Sequence, residues 1–522
     1  MSVLMFGMMI WGADFEQDLK PLIKAFYPGC EFAVKKEEIQ EELCGITEWL
    51  RFLKDAFPAE EEGEFFPDYA FYLMESDGYF AVRNGDCFIA DEFHIKKGME
   101  LTLSKDARHR EYRNNLMRPL YLALSKVSGV RLPWGILTGI RPTKQVLERL
   151  ENNVPEEEIA RFMREEYFCT DEKIATSLSV AKTECEILRG MDYRAGYSMY
   201  IGIPFCPSTC YYCSFPSYPL AIHGIWVEEY LQALFKEIRY AGSRGAIKGK
   251  HLQTVYVGGG TPTTLSAGQL DRLFTFMEEN LDLSFLQEIT VEAGRPDSIT
   301  REKLLVLRDH GIKRISINPQ TMKQATLDLI GRRHTVEEIC ETFYMARELG
   351  FDNINMDIIL GLAKETPQDV EETLSRIGEL SPDNLTVHTL AVKRAARLNT
   401  NRDEYAGLEA CGVQEMLRVS REFARENNYH PYYLYRQKNM AENLENIGYA
   451  RRGKEGLYNI LIMEERQTIL ALGAGATSKF ILPGGGRMVR VENVKSLRDY
   501  IGRIDEMIAR KENFLCEYGD GL

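Results

Sequence analysis

The chain has little that would carry it to a membrane or into an oxidising compartment. Its opening run, MSVLMFGMMIWGADF, is apolar, but it has no basic residues in front and no small-residue cleavage site. The run is also too short to span a bilayer. We expect it to form a first β-strand, and we expect a cytoplasmic protein without a membrane span.

The chain also has less positive than negative charge. The 64 Lys and Arg residues face 78 Asp and Glu residues, which gives a net charge of −14. An acidic surface repels phosphate backbones, so a nucleic-acid substrate would need a basic cleft acting against the overall field. Because the sequence contains no recognisable RNA-binding module, we expect no nucleic-acid partner.

Cysteine is present, but not in a disulfide pattern. The chain has 11 cysteines, and a reducing compartment disfavours disulfides. Three of them stand together and suggest a metal. The others are scattered singly, and we interpret them as small core residues or inert thiols: Cys30, Cys44, Cys87, Cys169, Cys185, Cys340, Cys411 and Cys516.

Changes of pattern divide the 522 residues into four regions. Residues 1–105 alternate in segments such as FAVRNGDCFIADEF, which predicts an N-terminal α+β region with a small antiparallel sheet. Residues 106–190 are amphipathic and predict a helical connecting region. Residues 191–400 predict the core, and residues 401–522 a C-terminal mixed, partly helical domain.

From about residue 196, short β-branched runs alternate with helical stretches. The strand-like runs are YSMYIGIPFC, TVYVGGGTP, EITVEA, KRISINPQ, NINMDIILGL and NLTVHTL. This alternation is typical of parallel strands joined by crossover helices, and it predicts an α/β fold with a partial (β/α)6 barrel. The ligands of such a fold bind at the carboxyl ends of the strands.

The segment FCPSTCYYCSFPSY places Cys206, Cys210 and Cys213 directly after the first of these strands. Thiolates on one short loop can converge on a [4Fe–4S] cluster. Three protein ligands leave one iron open to chelate S-adenosylmethionine (SAM), and a reduced cluster then releases a 5′-deoxyadenosyl radical from it. Zinc is the alternative, but it would need a fourth ligand at finger-like spacing, and His223 stands alone.

A glycine-rich turn, GGGTP, ends the second strand at Gly258–Pro262. Without side chains, its backbone N–H groups are predicted to approach the amino-acid end of SAM. A tight turn explains the same residues equally well. Its position after the strand that follows the cysteine loop favours SAM.

Together these motifs resemble the radical SAM oxygen-independent coproporphyrinogen III oxidase (dehydrogenase) family, called HemN-like. YIGIPFC, CxxxCxxC, VGGGTPTTL, VEA, RISINPQ, GRRHT and NMDIILGL occur in the family's order over about residues 195–480. LPWGILTGIRPTK, HTLAVKRAA, YYLYRQKNMAENLENIGYA and GLYNILIMEERQTILALGAGATSKF resemble its HemZ branch. The resemblance implies a radical SAM barrel, a HemN-like C-terminal domain over 401–522, and a [4Fe–4S] cluster and SAM as cofactors.

The resemblance also implies a SAM pocket. Glu292 would bind a hydroxyl or the ammonium group of SAM, and a lone carboxylate on a buried strand is costly without such a partner. Asp357 is interpreted in the same way, whereas Arg332 suits a solvated turn and Gln320 a strand end equally well. The other residues implied are Tyr200 and Tyr212 beside the cluster, Gly259, Gly260 and Thr261 at the methionyl part, and Ala391 against the adenine.

Two departures from the family bear on the reaction. The oxidases have a fourth cysteine two residues after the triplet, where this chain has Ser214-Phe215, and a histidine where it has Gly202. The Ser-Phe ending is shared with the haem-chaperone branch of the superfamily. Cluster and SAM binding are unaffected by either departure, but the dehydrogenation is not implied as directly.

The substrate implied by the resemblance is coproporphyrinogen III, with flavodoxin or ferredoxin as the electron donor. Two of its four propionates would become vinyl groups, giving protoporphyrinogen IX. Carboxylates call for cations, preferably guanidinium groups. The candidates are Lys393, Arg394 and Arg397 after the sixth strand, Arg436 and Lys438 in YYLYRQKNM, and, more remotely, Arg141 and Lys144.

Several alternatives stay open. Tyr432, Tyr433 and Tyr435 suit a tetrapyrrole or a hydrophobic core equally well. The chain could be a haem chaperone, which the Ser214-Phe215 ending favours and the HemZ-like segments disfavour. It could also catalyse a different radical SAM reaction, on a tetrapyrrole or on RNA, although its acidity argues against RNA. A purely structural iron–sulfur protein would give the SAM-pocket residues no purpose.

Overall fold

The computed structural model of the chain describes residues 5–10, 16–36, 69–73, 77–84, 87–94, 105–243, 247–390, 412–437, 444–482 and 488–519. The chain divides into two compact units. One comprises Met1–Pro142 and Asn152–Leu178, and the other comprises Thr143–Glu151 and Ser179–Leu522. The finer division into four regions stays a prediction.

The helices of the described residues occur in both units. They are α1 (Glu16–Phe26), α2 (Lys105–Ser128), α3 (Lys144–Glu151), α4 (Glu156–Tyr167), α5 (Asp171–Arg189), α6 (Leu220–His223), α7 (Val227–Ser243), α8 (Ala267–Asn280), α9 (Arg301–Asp309), α10 (Gln324–Leu329), α11 (Val336–Glu348), α12 (Pro367–Leu380), α13 (Val413–Glu426), α14 (Leu457–Met463), α15 (Leu497–Gly502) and α16 (Ile504–Tyr518). Helices α2 to α5 lie within residues 105–189.

The first unit contains a mixed sheet. Its strands are β1 (Met5–Ile10), β2 (Glu31–Lys36), β3 (Tyr69–Leu73), β4 (Asp77–Asn84) and β5 (Cys87–His94), in the order β2-β1-β3-β4-β5. β3, β4 and β5 pair antiparallel, as the alternating sequence predicts. β1 is the predicted first strand, but it runs parallel to both β2 and β3, which the sequence did not indicate.

Helices α1 and α2 pack together in the first unit. Leu19, Leu22 and Phe26 recur at helical spacing on one face of α1 and are buried. The Phe26 ring meets Tyr121 of α2 edge to face, with ring centroids 5.4 Å apart. The apolar period of each helix therefore marks the face that it buries.

The second unit is built around six parallel strands that lie side by side in chain order. They are β6 (Gly196–Ile203), β9 (His251–Gly259), β10 (Glu288–Gly294), β11 (Arg314–Ile317), β12 (Asn353–Leu360) and β13 (Asn384–Thr389). One or two helices of the series α6 to α12 connect each strand to the next. The predicted α/β fold, with parallel strands joined by crossover helices, is thereby confirmed, and its arrangement as a partial (β/α)6 barrel stays a prediction.

The N-termini of three crossover helices are defined by capping residues in the local sequence. Ser266, Thr335 and Thr366 cap α8, α11 and α12, each in a reciprocal capping box with the residue three positions later. The boxes satisfy N–H groups that the first helical turn leaves without partners. The side chains of the strands alternate, so that residues such as Val257, Val291 and Ile315 are buried, whereas the opposite face is largely polar.

The remaining strands extend the same sheet on both sides. They are β14 (His430–Tyr435), β15 (Asn446–Ala450), β16 (Ile469–Leu472), β17 (Thr477–Ile481) and β18 (Met488–Glu492). β15 pairs antiparallel with β13 and with β14, whereas β16 runs parallel to β6 and leads into the antiparallel pair β17 and β18. The C-terminal region thus contributes strands to the sheet that carries the core.

None of the helices in the described part of the chain combines the length and the apolar character needed to cross a bilayer.

Candidate iron–sulfur and cofactor site

The cysteine loop begins just after β6. Cys206 ends the short strand β7 (Phe205–Cys206), which pairs with β8 (Tyr218–Pro219) and closes residues 207–217 into a loop. The Tyr218 N–H donates to Pro204 O at 2.9 Å, and the Cys213 N–H donates to Cys210 O at 3.1 Å. The three cysteines therefore share one loop at the carboxyl end of the first parallel strand.

The three thiols are sheltered from water and influence one another. Cys206 and Cys210 are each 8% exposed. Burial raises the pKa of Cys206, and it raises the pKa of Cys213 to about 11, with the neighbouring cysteines adding to both shifts. Buried thiolates at Cys206 and Cys213 are unfavourable unless a positive centre binds them. A bound metal supplies that positive charge and requires deprotonated sulfur.

The loop and its surroundings fit a cluster. Among the described residues, no three Cys, His, Asp or Glu side chains converge closely enough to hold a single metal ion. A [4Fe–4S] cluster requires a different geometry, since each thiolate binds a different iron atom. The turn after β9 leaves no room for a side chain beside Cys206, because a Cβ on Gly260 would lie 3.0 Å from its Sγ and 2.5 Å from Phe205 O.

The glycine turn holds the cysteine strand directly. The N–H groups of Gly260 and Thr261 donate to Ile203 O (2.8 Å) and Phe205 O (2.7 Å), and Thr261 Oγ1 lies 3.6 Å from Cys206 Sγ. The sequence predicts that N–H groups of this turn approach SAM, but in the structure these two are taken up by the cysteine strand. The missing side chains, and Gly259 with φ +112°, therefore allow the close approach of two backbones.

Tyr212 and Arg332 lie together beside the cysteine loop. Arg332 Nη2 donates to Tyr212 OH at 3.1 Å, and Nη1 donates to Asn318 O at 2.5 Å. Arg332 is buried, so the interpretation as a solvated turn is wrong. Its Nε has no hydrogen-bond partner among the described residues, which leaves one donor for a ligand.

Glu292 sits at the carboxyl end of β10, opposite two aromatic rings. Its Oε1 accepts a hydrogen bond from Tyr256 OH at 2.5 Å, and Tyr256 stacks on Tyr200 with ring centroids 6.3 Å apart. Burial, together with the nearby charge of Asp357, raises the pKa of Glu292 to about 7, although Tyr256 and the Gly259 N–H lower it in part. The side chain is therefore a carboxyl group poised between its two protonation states near neutral pH.

Three buried side-chain atoms along β11 and its continuation have no hydrogen-bond partner in the described part of the chain. Ser316 Oγ, Asn318 Oδ1 and Gln320 Oε1 are buried atoms that accept or donate no hydrogen bond among the described residues. Each such atom costs about 1–3 kcal/mol unless something binds it. Gln320 also has φ +68°, which is strained for a residue with a side chain. These unmet groups fit a polar ligand at the strand ends.

Asp357 of β12 forms a pair with a histidine that the sequence reading missed. His388 Nε2 of β13 lies 3.7 Å from Asp357 Oδ2, and Asn355 Nδ2 donates to Asp357 Oδ1 at 2.7 Å. Burial alone would raise the pKa of Asp357, but His388 and these hydrogen bonds lower it. Gln320 N–H donates to Asp357 O at 2.9 Å, so the ends of β11 and β12 are joined.

Sequence reasoning overlooked several residues of this face. Polar residues at every second position of parallel strands, where apolar residues are usual, were the available signal for Tyr256, Ser316 and His388. The rule that singled out Glu292, an ionisable residue at a strand end, applies equally to Arg295, which is 3% exposed.

The structure describes only some of the residues that are expected to contact the substrate. Ala391, Lys393, Arg394, Arg397 and Lys438 lie outside the described residues. Arg436 follows β14 and is 3% exposed.

The tyrosines of β14 belong to a hydrophobic core. Tyr432 and Tyr433 are buried in a cluster with Ile460 and Leu461, and Tyr435 packs against it. Tyr432 OH accepts a hydrogen bond from Asn459 Nδ2 at 3.0 Å. The core interpretation is therefore confirmed for this group.

Parallel strands in chain order, with a three-cysteine loop after the first, define a radical SAM protein, and residues 200–377 match the radical SAM superfamily. The chain is 41% identical over 407 residues to the oxygen-independent coproporphyrinogen-III oxidase-like protein HemZ of Bacillus subtilis (strain 168), covering 77% of this chain and 81% of that protein. The chain belongs to the HemZ branch of the HemN-like family. Its cofactors are accordingly a [4Fe–4S] cluster and SAM.

Two other relatives differ in what they do. The chain is 30% identical to the heme chaperone HemW of Lactococcus lactis subsp. lactis (strain IL1403), over 61% of this chain and 79% of that one. It is 29% identical to the oxygen-independent coproporphyrinogen III oxidase of Salmonella typhimurium (strain LT2), over 59% of this chain and 65% of that one. An oxidase and a chaperone are thus related to this chain to a similar degree.

Proposed function

We propose that the chain is a radical SAM coproporphyrinogen III dehydrogenase that converts two propionate side chains of its substrate to vinyl groups, giving protoporphyrinogen IX. The observation that carries this proposal is the 41% identity to an oxidase-like HemZ protein across 81% of that protein. The polar strand ends described above support it, because they offer a buried site for a charged cofactor.

The cysteine loop would hold the cluster through Cys206, Cys210 and Cys213. When bound, the reduced cluster and SAM supply a 5′-deoxyadenosyl radical that removes a hydrogen atom from the substrate. The proposed SAM-binding residues with described positions are Tyr200, Tyr212, Gly259, Gly260, Thr261, Glu292, Gln320, Arg332 and Asp357. Ala391 is proposed to lie against the adenine.

Three features of these residues suit SAM. Glu292 is an acceptor for a hydroxyl or ammonium group, and its carboxyl group is already aimed by Tyr256 OH. Gln320 Oε1 and Arg332 Nε are a buried acceptor and a buried donor without partners among the described residues. A zwitterionic ligand with hydroxyl groups would satisfy all three.

Conversion of each propionate to a vinyl group removes a hydrogen atom, CO₂ and one electron. The β-carbon loses a hydrogen atom to the radical, the carboxylate leaves as CO₂, and one electron passes to a one-electron acceptor, so that a carbon–carbon double bond remains. Cations are required to orient the four propionates. We propose Lys393, Arg394, Arg397, Arg436 and Lys438 for this role, and flavodoxin or ferredoxin as the donor that reduces the cluster.

An anaerobic assay tests the proposal. Reconstituted protein, SAM, a low-potential reductant and coproporphyrinogen III should yield 5′-deoxyadenosine and a porphyrinogen that has lost CO₂ and hydrogen, both detected by mass spectrometry. Cys210→Ala should abolish both products. Cys340→Ala, in α11, is the matched control and should retain both, because its thiol lies outside the cysteine loop.

A haem chaperone is the second candidate, favoured by Ser214-Phe215 after the cysteine triplet and by the HemW relative. It would bind haem stoichiometrically and release no CO₂ from coproporphyrinogen III. If 5′-deoxyadenosine forms without a decarboxylated product and without haem binding, the enzyme class stands and a different substrate must be sought.

A further inference from the structure

Arg295 is a buried cation that follows directly after β10 and is not among the residues proposed to bind SAM. It is 3% exposed. A guanidinium group loses much of its hydration free energy on burial, so it needs hydrogen bonds and a counter-charge in return. The hydrogen bonds and charges around the Arg295 guanidinium group therefore indicate its role.

One edge of the Arg295 guanidinium is fixed by a carboxylate. Nε donates to Asp297 Oδ1 at 2.9 Å, and Nη2 donates to Asp297 Oδ2 at 2.6 Å, which is the forked geometry that arginine alone can form. Asp297 is backed in turn by His334, whose Nδ1 lies 3.8 Å from Oδ1. The guanidinium plane is therefore locked in one orientation.

The other edge points at the cysteine loop. Nη1 donates to Ser208 Oγ at 2.8 Å and to Ser208 O at 3.1 Å, and it lies 3.6 Å from Cys210 Sγ, within hydrogen-bond range for sulfur. The positive end of the Arg295–Asp297 pair thus faces the sulfur, and the negative end lies on the far side.

We propose that Arg295 is a positioning residue that donates a hydrogen bond to the Cys210 thiolate and raises the reduction potential of the cluster. A reduced cluster carries one more negative charge than an oxidised one, and a fixed positive charge at low dielectric stabilises the reduced form more. Hydrogen bonds to the ligating sulfurs act in the same direction. The inference rests on the cofactor and is independent of the reaction proposed above.

The proposal predicts opposite effects for the two members of the pair. Arg295→Gln removes the positive charge, so the reduction potential should fall. Asp297→Asn removes the negative charge while leaving Arg295 in place, so the potential should rise. A purely structural role would instead loosen the loop in both variants and would give no reason for shifts of opposite sign.

The test is a redox titration of the full-length, cluster-loaded protein followed by electron paramagnetic resonance. At a fixed ambient potential, Arg295→Gln should lower the ratio of reduced to oxidised cluster by about tenfold, which corresponds to about 59 mV for a one-electron couple. The charge-matched control is Arg301→Gln, which removes an exposed guanidinium paired with Glu348 and should leave the potential unchanged.

Two results would overturn the proposal: equal potentials in wild type and Arg295→Gln, or shifts of the same sign in Arg295→Gln and Asp297→Asn. If Arg295→Gln takes up no iron, Asp297→Asn decides alone. A raised potential in that variant supports the proposal, and an unchanged or lowered one refutes it.

Discussion

At the scale of single residues, the site combines groups whose chemistry depends on burial. Glu292 has a pKa raised to about 7, with burial as the largest cause and the charge of Asp357 as a further one. Its carboxyl group accepts from Tyr256 OH. A group of this kind changes its charge in the pH range in which proteins are usually assayed.

SAM should bind more tightly as the pH rises through 7. Ionised Glu292 is the better acceptor for a hydroxyl or ammonium group, and between pH 6 and 8 its ionised fraction grows about tenfold. Equilibrium dialysis of SAM with the cluster-loaded protein should show an affinity gain of that order. Glu292→Gln keeps the shape but cannot ionise, so its weaker affinity should lack this dependence. A pH profile shared by both proteins would contradict the assignment.

The same group should make the protein without SAM less stable as the pH rises. Its folded-state pKa, about 7, lies above the ordinary value of 4.5. The folded state therefore holds the proton longer, and the stabilisation present below pH 4.5 is lost as the pH passes 7. Urea unfolding at pH 5 and pH 8 should show a larger loss for wild type than for Glu292→Gln. Equal losses would mean that Glu292 ionises normally.

Gly260→Ala should abolish cluster loading. The added Cβ would lie 2.5 Å from Phe205 O and 3.0 Å from Cys206 Sγ, so either the cysteine strand or the turn would have to move. Iron and sulfide per chain measure the effect after reconstitution. Gly268→Ala is the matched control, because nothing lies within 4 Å of a Cβ at that position in α8. Full loading of Gly260→Ala would show that the turn does not constrain the loop.

At the scale of elements, the crossover helices were the most predictable part of the fold. Ser266 precedes α8 and Gln269 lies in its first turn, and the two residues form the reciprocal capping box that such spacing indicates. Apolar residues then recur at helical spacing and are buried. Local hydrogen bonds and one apolar face are enough to define such a helix, so sequence predicts it well.

Removing the α8 cap should cost stability without touching the site. Ser266→Ala leaves the N–H of Gln269 without its side-chain acceptor, and the free energy of unfolding should fall by about 1 kcal/mol. Denaturant unfolding measures the loss, and SAM affinity serves as the control and should be unchanged. An altered SAM affinity would show that the start of α8 helps to shape the pocket.

Strand pairing was less predictable than the helices. The six parallel strands follow from alternating βα patterns, but β1 pairs parallel with β2 and β3 in a region where the sequence suggested antiparallel pairing alone. A strand's partner depends on residues far away in the chain, so the pattern within the strand does not predict which strand it pairs with.

At the scale of the whole molecule, the C-terminal helix is tied into the core of the second unit by a buried ion pair. Lys511 Nζ of α16 lies 2.7 Å from Glu237 Oε1 of α7, and both side chains are fully buried. Tyr500 OH (2.6 Å) and Gly473 N–H (2.8 Å) donate to the other carboxylate oxygen. The network thus connects the three helices α7, α15 and α16 with the loop that follows β16, the strand beside β6.

Lys511→Met should be strongly destabilising, by about 3–5 kcal/mol, because it leaves the Glu237 carboxylate buried without its counter-charge. The double variant Glu237→Gln/Lys511→Met should recover part of the loss, since no unpaired charge remains. Denaturant unfolding of the two variants measures both effects. A double variant no more stable than Lys511→Met would show that the charges do not act as a pair.

The family, the α/β order of the core and the cysteine loop can be predicted from the sequence, because short motifs and local periodicity encode them. Which polar groups meet is known only from the folded chain: Tyr256 with Glu292, His388 with Asp357, and Arg295 with Cys210. The same holds for the N–H groups of Gly260 and Thr261, which donate to the cysteine strand. These pairings join strands distant in the chain, and their burial sets the protonation and charge on which the proposed chemistry depends.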